Sequence, residues 1–182
     1  MEGDGAGREI DLEEVDAFAE AAHEGQRRFS GAPYVVHPRA VRAVLEREFP
    51  EDVDDATLAI ALLHDVLEDC DVHPSILLER WGQEVQEGVT LLSWNLRALG
   101  IERAPRIYWS GIRRGPRSVR IVKAADRIDN LRDTLADRNP RMKQKYLADT
   151  ETELLPILRE AGEGWLVERL EELLDRLRAW DA

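Results

Sequence analysis

Apolar residues along this chain recur at intervals of three and four, and the segments they define read as helices throughout. Leu12, Val15, Phe18 or Ala19, and Ala22 mark one face of a first helix. Asp11 is placed to cap it, and Glu13 and Glu14 fall in the first turn, where the helix dipole favours negative charge. Gly31 and Pro33 then break the chain, and Pro38 suits the first turn of a second helix running to about Phe49. His37 stands at that entry, where a residue before proline is biased towards extended backbone. A third helix, capped by Asp54 or Asp55, runs from Thr57 to Cys70. Short helices follow over Ile76 to Trp81, ended by Gly82, and over Gln83 to Leu92. Residues 95–118 carry the weakest pattern, with a helix from Ala104 to about Ser110 and a basic turn after it.

Ser118 is placed to cap the next helix, whose buried face is marked by Ile121, Ala124, Ile128, Leu131 and Leu135. After Pro140 a long helix runs to about Arg159 with an interruption at Pro156, and the last helix follows the turn at 162–164. Its stripe of Leu166, Leu170, Leu173, Leu177 and Trp180 packs on the preceding helix, with a homodimer seam as the alternative use. Trp81, Trp94 and Trp109 read as core packing. No strand pattern stands out, so the fold class expected is all-α: one helical bundle of about 8 to 10 helices over residues 11–182, after a disordered lead-in over residues 1–10.

Two helices break their own pattern. The third begins almost wholly apolar and then presents His64, Asp65, Glu68 and Asp69. Burying unpaired polar groups costs about 2 to 7 kcal/mol each, so something must offset four of them. In one continuous helix, His64 lies above Glu68 and Asp65 above Asp69, which puts an imidazole and three carboxylates along one edge. A metal or acid/base site accounts for that set better than a helix end surfacing into solvent. In the helix after Ser118, Asp126 and Asn130 share a face beside Lys123 and Arg127. A buried Asp126 needs a partner, either an arginine or a metal.

The whole-chain numbers narrow the partners. At 182 residues and a net charge of −12, the chain is no general nucleic-acid binder. The stretch from Arg97 to Arg127 is nevertheless basic, with only Glu102 and Asp126 against it. That patch suits a small anionic ligand such as a nucleotide polyphosphate, or else forms a solvated face. The chain lacks a membrane-span-length apolar run and a basic, apolar leader, and its one cysteine forms no internal disulfide, so it reads as cytoplasmic. Cys70 reads as a small filler residue, His23 as structural, and His73 as outside any ligand set.

His37, then His64–Asp65, then Asp126 give the order H…HD…D. This resembles the HD superfamily of metal-dependent phosphohydrolases. The stretches HEGQRRFSGAPYVVHPRAV, ALLHDVLED and VKAADRIDNLRD, with WGQEVQEGVTLLS between the last two, are similar to the signature segments of the alarmone hydrolase domain of RelA/SpoT proteins and their small stand-alone relatives. The resemblance spans about residues 15 to 160. It implies His37, His64, Asp65 and Asp126 as metal ligands, and Glu68 and Asp69 as the groups that position and activate the attacking water. It places Arg28 at the guanine and Asn130 near the ribose; Lys123, in the basic stretch, is a further candidate for binding the anionic substrate. The implied reaction removes the 3′-pyrophosphate from ppGpp or pppGpp, with manganese as the ion. Two imidazoles and two carboxylates suit a borderline or hard divalent cation, and no cysteine ligand points to structural zinc. Phe29 and Asp129 depart from the family pattern; Asp129 stands where a histidine is common and brings further negative charge near the substrate. Two other functions fit the same residues: an HD phosphohydrolase acting on another nucleotide or phosphorylated cofactor, and a non-catalytic nucleotide-binding module.

Overall fold

In a computed structural model that describes residues 9–180, ten α-helical segments surround one core. Residues 1–8 of the expected lead-in lie outside the described residues. In chain order the helices are α1 (Leu12–Ala22), α2 (Val36–Ala43), α3 (Asp55–Leu63), α4 (Val66–Asp69), α5 (Pro74–Leu92), α6 (Pro105–Arg114), α7 (Arg117–Asp137), α8 (Pro140–Asp149), α9 (Leu155–Ala161) and α10 (Gly164–Arg178). No described helix is long and apolar enough to cross a membrane.

The core is built on α3, where Ile60, Ala61, Leu62 and Leu63 have no exposed surface. A helix apolar on every side must be covered on every side. Here α1, α2, α5 and α7 provide that cover. Asp54 caps α3 by accepting from the Thr57 N–H at 2.8 Å, and Asp11 caps α1 in the same way. Gly82 interrupts α5 at φ 86°, a left-handed conformation that favours glycine. His73, outside any ligand set, caps the start of that helix by accepting from the Ser75 N–H.

Several boundaries differ from those read in the sequence. The continuous helix expected from Thr57 to Cys70 is broken at His64–Asp65, and α4 restarts on the Asp65 carbonyl, which accepts from the Glu68 and Asp69 N–H groups. His64 Nδ1 donates to the Ala61 carbonyl at 2.8 Å, so a side chain takes part in the helical ladder where the break falls. His37 lies inside the first turn of α2 rather than in extended backbone. Pro38 is tolerated there because first-turn positions have no carbonyl to bond. Pro116, with its φ fixed, stands at the α7 entry, so Ser118 falls inside the helix, where its buried hydroxyl has no hydrogen-bond partner. The interruption expected at Pro156 is a π turn over Thr150–Leu154, just ahead of the proline, which tolerates the N–H that the ring removes. The apolar stripe of α10 packs mainly against α7 and less against α9. The helix expected from Ala104 to Ser110 extends to Arg114, taking in the first half of the expected basic turn over residues 111–118.

A small hairpin also escaped the pattern. β1 (Asn95–Leu96) pairs antiparallel with β2 (Ile101–Glu102), Asn95 opposite Glu102 and Leu96 opposite Ile101. Two residues per strand are too few to show alternation.

Candidate functional site

Polar side chains from three core helices meet at one point. His37 from α2, His64 at the end of α3 and Asp126 from the middle of α7 are all buried, and one donor atom from each lies within 4.8 Å of the other two. His37 Nε2 is 3.2 Å from Asp126 Oδ1 and 3.6 Å from Asp65 Oδ2. His64 Nε2 is 3.1 Å from Asp65 Oδ2 and 3.8 Å from Asp126 Oδ1. Neighbouring donors around a cation bound at about 2.1 Å stand about 3.0 to 3.5 Å apart in tetrahedral or octahedral arrangements, so this spacing fits an ion of that size.

The orientation of the rings fits as well. With Nδ1 of His64 donating to a backbone carbonyl, Nε2 is the nitrogen turned towards the cluster, and it is buried with no hydrogen-bond partner. His37 Nδ1 lies 2.6 Å from Asp129 Oδ2, which likewise leaves its Nε2 facing inward. Asp126 is held from both sides, with Lys123 Nζ donating to Oδ2 at 2.7 Å and the Asn130 amide donating to Oδ1. Asp65 accepts from the Tyr34 hydroxyl at 2.7 Å. An orphaned buried imidazole nitrogen beside two oriented carboxylates is the donor set of a divalent metal centre.

Electrostatics reflect the crowding. Burial works against a charged His37, but hydrogen bonds to Asp126 and Asp129 carry its pKa up to about 9. His64 is raised too, with Asp65 outweighing burial. Asp126 falls well below the usual carboxylate range; burial opposes this, and Lys123 is the main cause. Glu68 and Asp69 move the other way, raised by burial and by the negative charge of Asp65.

His37, Asp65, Glu68, Asp69, Lys123 and Asp126 line a cavity of about 520 Å³ together with Trp94, Tyr108, Arg127, Asn130, Lys145 and Tyr146, while His64 lies behind this lining. Glu68 and Asp69 both face it, and Glu68 Oε2 accepts from the Trp94 backbone N–H at 2.7 Å. Residues 95–118 border the site through Pro105, Tyr108 and Trp109 of α6, which form a wall, and Trp94 just ahead of them holds Glu68.

Other expected residues sit less centrally. Arg28 lies outside this cavity, in an adjoining hollow of about 280 Å³ with Phe29, Asp133 and Met142, and the two spaces share Tyr34, Asn130 and Tyr146. Its guanidinium donates to Asp133 and lies 3.5 Å from Asp129. Asp129 is turned to His37 and Arg28, so the free negative charge expected beside the substrate is instead paired. Of the basic stretch, Arg113 and Arg114 do not line the cavity, and Arg113 pairs with Glu160. Charged residues along an amphipathic helix alternate in direction, and only Lys123 and Arg127 of that stretch turn inward. His23 is buried, bonded to Gln26 and stacked on Tyr34. Tyr34 is the main site residue that pattern reading missed; its position one turn before His37 was the available signal. Lys145 and Tyr146 come from α8, which carries no distinctive motif.

Several known proteins are similar to this chain. The bacterial guanosine-3′,5′-bis(diphosphate) 3′-pyrophosphohydrolase of Vibrio cholerae serotype O1 is 36% identical over 168 residues, which is 89% of this chain and 23% of that protein. The bifunctional (p)ppGpp synthase/hydrolase SpoT of Escherichia coli K12 is 32% identical over 167 residues, again 89% of this chain and 23% of the relative. The chain thus spans under a quarter of the length of these curated relatives. A solved structure, described as that of a metazoan ortholog of SpoT that hydrolyzes ppGpp and plays a role in starvation responses, superposes with a TM-score of 0.77 at 25% identity. It matches 94% of this chain and 97% of its own, so the likeness is to a whole domain of the same size. The HD domain family matches residues 16–154, a span that holds all three buried donors. By that match, which reaches from α1 to the π turn before α9, the chain belongs to the HD domain family.

Proposed function

We propose that this chain is a metal-dependent hydrolase of ppGpp and pppGpp that removes the 3′-pyrophosphate to give GDP or GTP and pyrophosphate. The observation that carries the reading is the convergence of His37, His64 and Asp126 on one buried point, beside two further acids in a cavity that also carries lysine and arginine. The relatives named for ppGpp hydrolysis supply the substrate class.

His37, His64 and Asp126, with Asp65 as the fourth donor, would hold the ion, and manganese is the metal proposed. Such a cation supplies charge neutralisation at phosphoryl oxygens and lowers the pKa of bound water. The protein's own groups do the rest. Glu68, fixed by the Trp94 N–H, orients the attacking water and takes its proton, and Asp69 supports it from the next position on α4. Lys123, Arg127 and Lys145 set positive charge along the wall that faces the pyrophosphate. Asn130, shared by both spaces, stands where the ribose would bridge them, and Arg28 borders the hollow that would take the guanine. Trp94, Tyr108 and Trp109 form the aromatic wall of the larger cavity, on the metal side.

The test is release of pyrophosphate from ppGpp by purified protein, with and without Mn²⁺, beside Asp65→Ala. Metal-dependent release that the variant lacks is the expected result. Phe29, 79% exposed on the rim of the second hollow, gives one reason to run other nucleotides alongside. Fast turnover of one of those with none of ppGpp would reassign the substrate and leave the metal site intact.

A further inference from the structure

We infer that Asp129 is the positioning residue of the metal centre: it holds the His37 ring so that Nε2 points to the ion, and Arg28, itself anchored by Asp133, lies against Asp129 in turn. The inference deepens the metal-site reading above and rests on it. His37 Nδ1 and Asp129 Oδ2 are 2.6 Å apart, and the His37 side chain is 2% exposed and that of Asp129 13%. Both lie in regular helix, His37 on α2 and Asp129 on α7, so neither side chain has much freedom to find another partner. The opposite nitrogen of the ring is the one 3.2 Å from Asp126. A carboxylate behind a metal-binding imidazole fixes the ring's tautomer and orientation and raises its basicity. His64 has only a neutral backbone carbonyl in the equivalent place. The two imidazoles are therefore unequally supported, and His37 is the one that depends on a charged neighbour.

Asp129 follows Asp126 by three residues, one helical turn along α7. One turn of one helix therefore supplies a metal-facing carboxylate and the carboxylate behind the facing histidine. Arg28 lies 3.5 Å from Asp129 and also donates to Asp133, which keeps the second charge neutralised without taking the carboxylate away from His37. Asp129 does not line the cavity, so its effect passes through His37 and not through contact with substrate.

The experiment measures Mn²⁺ affinity calorimetrically in the full chain for wild type, Asp129→Ala and Asp129→Asn, with turnover titrated against Mn²⁺. We expect Asp129→Ala to bind Mn²⁺ about 10- to 100-fold more weakly. We expect Asp129→Asn, which keeps an acceptor oxygen without its charge, to fall between. Saturating Mn²⁺ should restore most of kcat, because the defect lies in holding the ion; a general packing defect would not be rescued in this way. Circular dichroism of the metal-free variants checks that both are folded. Wild-type Mn²⁺ affinity in folded Asp129→Ala overturns the inference, and if KM for ppGpp also falls, Asp129 acts as a repelling charge near substrate. A wild-type protein that binds no Mn²⁺ removes the metal-centre reading and this inference with it. Wild type that binds Mn²⁺ alongside an unaffected variant removes the inference alone.

Discussion

Glu68 and His64 are separated by one turn in the sequence but do different work in space. His64 Nε2 is buried beside Asp65, whereas Glu68 faces the cavity and is tied to the Trp94 N–H. His64→Ala should therefore abolish Mn²⁺ binding. Glu68→Gln should leave Mn²⁺ affinity nearly unchanged and slow turnover by about 10² to 10⁴, the usual worth of a positioned acid/base group. Calorimetry and turnover on the same preparations separate the two, and equal metal loss in both would make Glu68 a ligand. Cys70 offers a second residue-scale test. Burial and the neighbouring Asp69 push its thiol up to about 11. At pH 8 only about one thiol in a thousand is then ionised, so the folded protein should resist iodoacetamide and react on unfolding. The site was legible at this scale because His64, Asp65 and Asp126 interrupt apolar helices, where polar groups require a cause. Asp129 and Tyr34 were not legible in the same way, since their roles depend on which residue faces them across a helix contact. The same limit applies to Arg113 and Arg114, whose charge was read correctly but whose direction was not.

At the scale of elements, the contact between α3 and α5 is a tight constraint on the core, because Gly88 lets the two helices approach closely. A Cβ added at Gly88 would lie 2.5 Å from Ile60 Cδ1 and 3.0 Å from its Cγ1, and Ile60 has no exposed surface. Gly88→Ala should therefore overpack the interface and destabilise the fold by about 1 to 3 kcal/mol, seen as a lower denaturation midpoint. Ile60→Val removes the Cδ1 atom, so the double variant should be more stable than the sum of the two single losses predicts. Additive losses would show that the helices shift apart to accept the methyl group. This contact explains what periodicity could and could not reveal. The apolar spacing marked every major helix, and the glycine at 82 marked a break that does occur at φ 86°. It could not mark the break between α3 and α4, because Thr57 to Cys70 keeps helical spacing throughout and the interruption comes from His64 bonding back to Ala61. Nor could it mark Gly88 as a close approach, which is a property of two elements together.

For the whole molecule, the metal centre couples the stability of the fold to pH and to cation. His37, His64 and Asp126 reach the centre from α2, α3 and α7, so an ion held there joins three elements of the core and favours the folded chain. Without an ion, the neighbouring carboxylates hold the imidazoles as cations, His37 up to about 9 from its ordinary 6.5. The folded state then keeps a proton that the unfolded chain sheds above its own pKa, so this contribution is complete below about pH 6.5 and is lost as pH rises through about 9. His64, also raised, acts in the same direction. Metal binding needs unprotonated ring nitrogens, so the ion competes with those protons and binds more tightly as pH rises. The two trends oppose each other and can be read in one experiment. In chelator, the melting temperature should fall between pH 6.5 and pH 8. The increment produced by Mn²⁺ should grow over the same interval. At an Mn²⁺ concentration about a hundredfold above its Kd, the gain is about 2.7 kcal/mol. For a chain of this size that is a rise in melting temperature of about 5 to 11 °C. An increment that stays constant across the interval would mean that the ion does not displace the imidazole protons, and would separate the cation from His37 and His64.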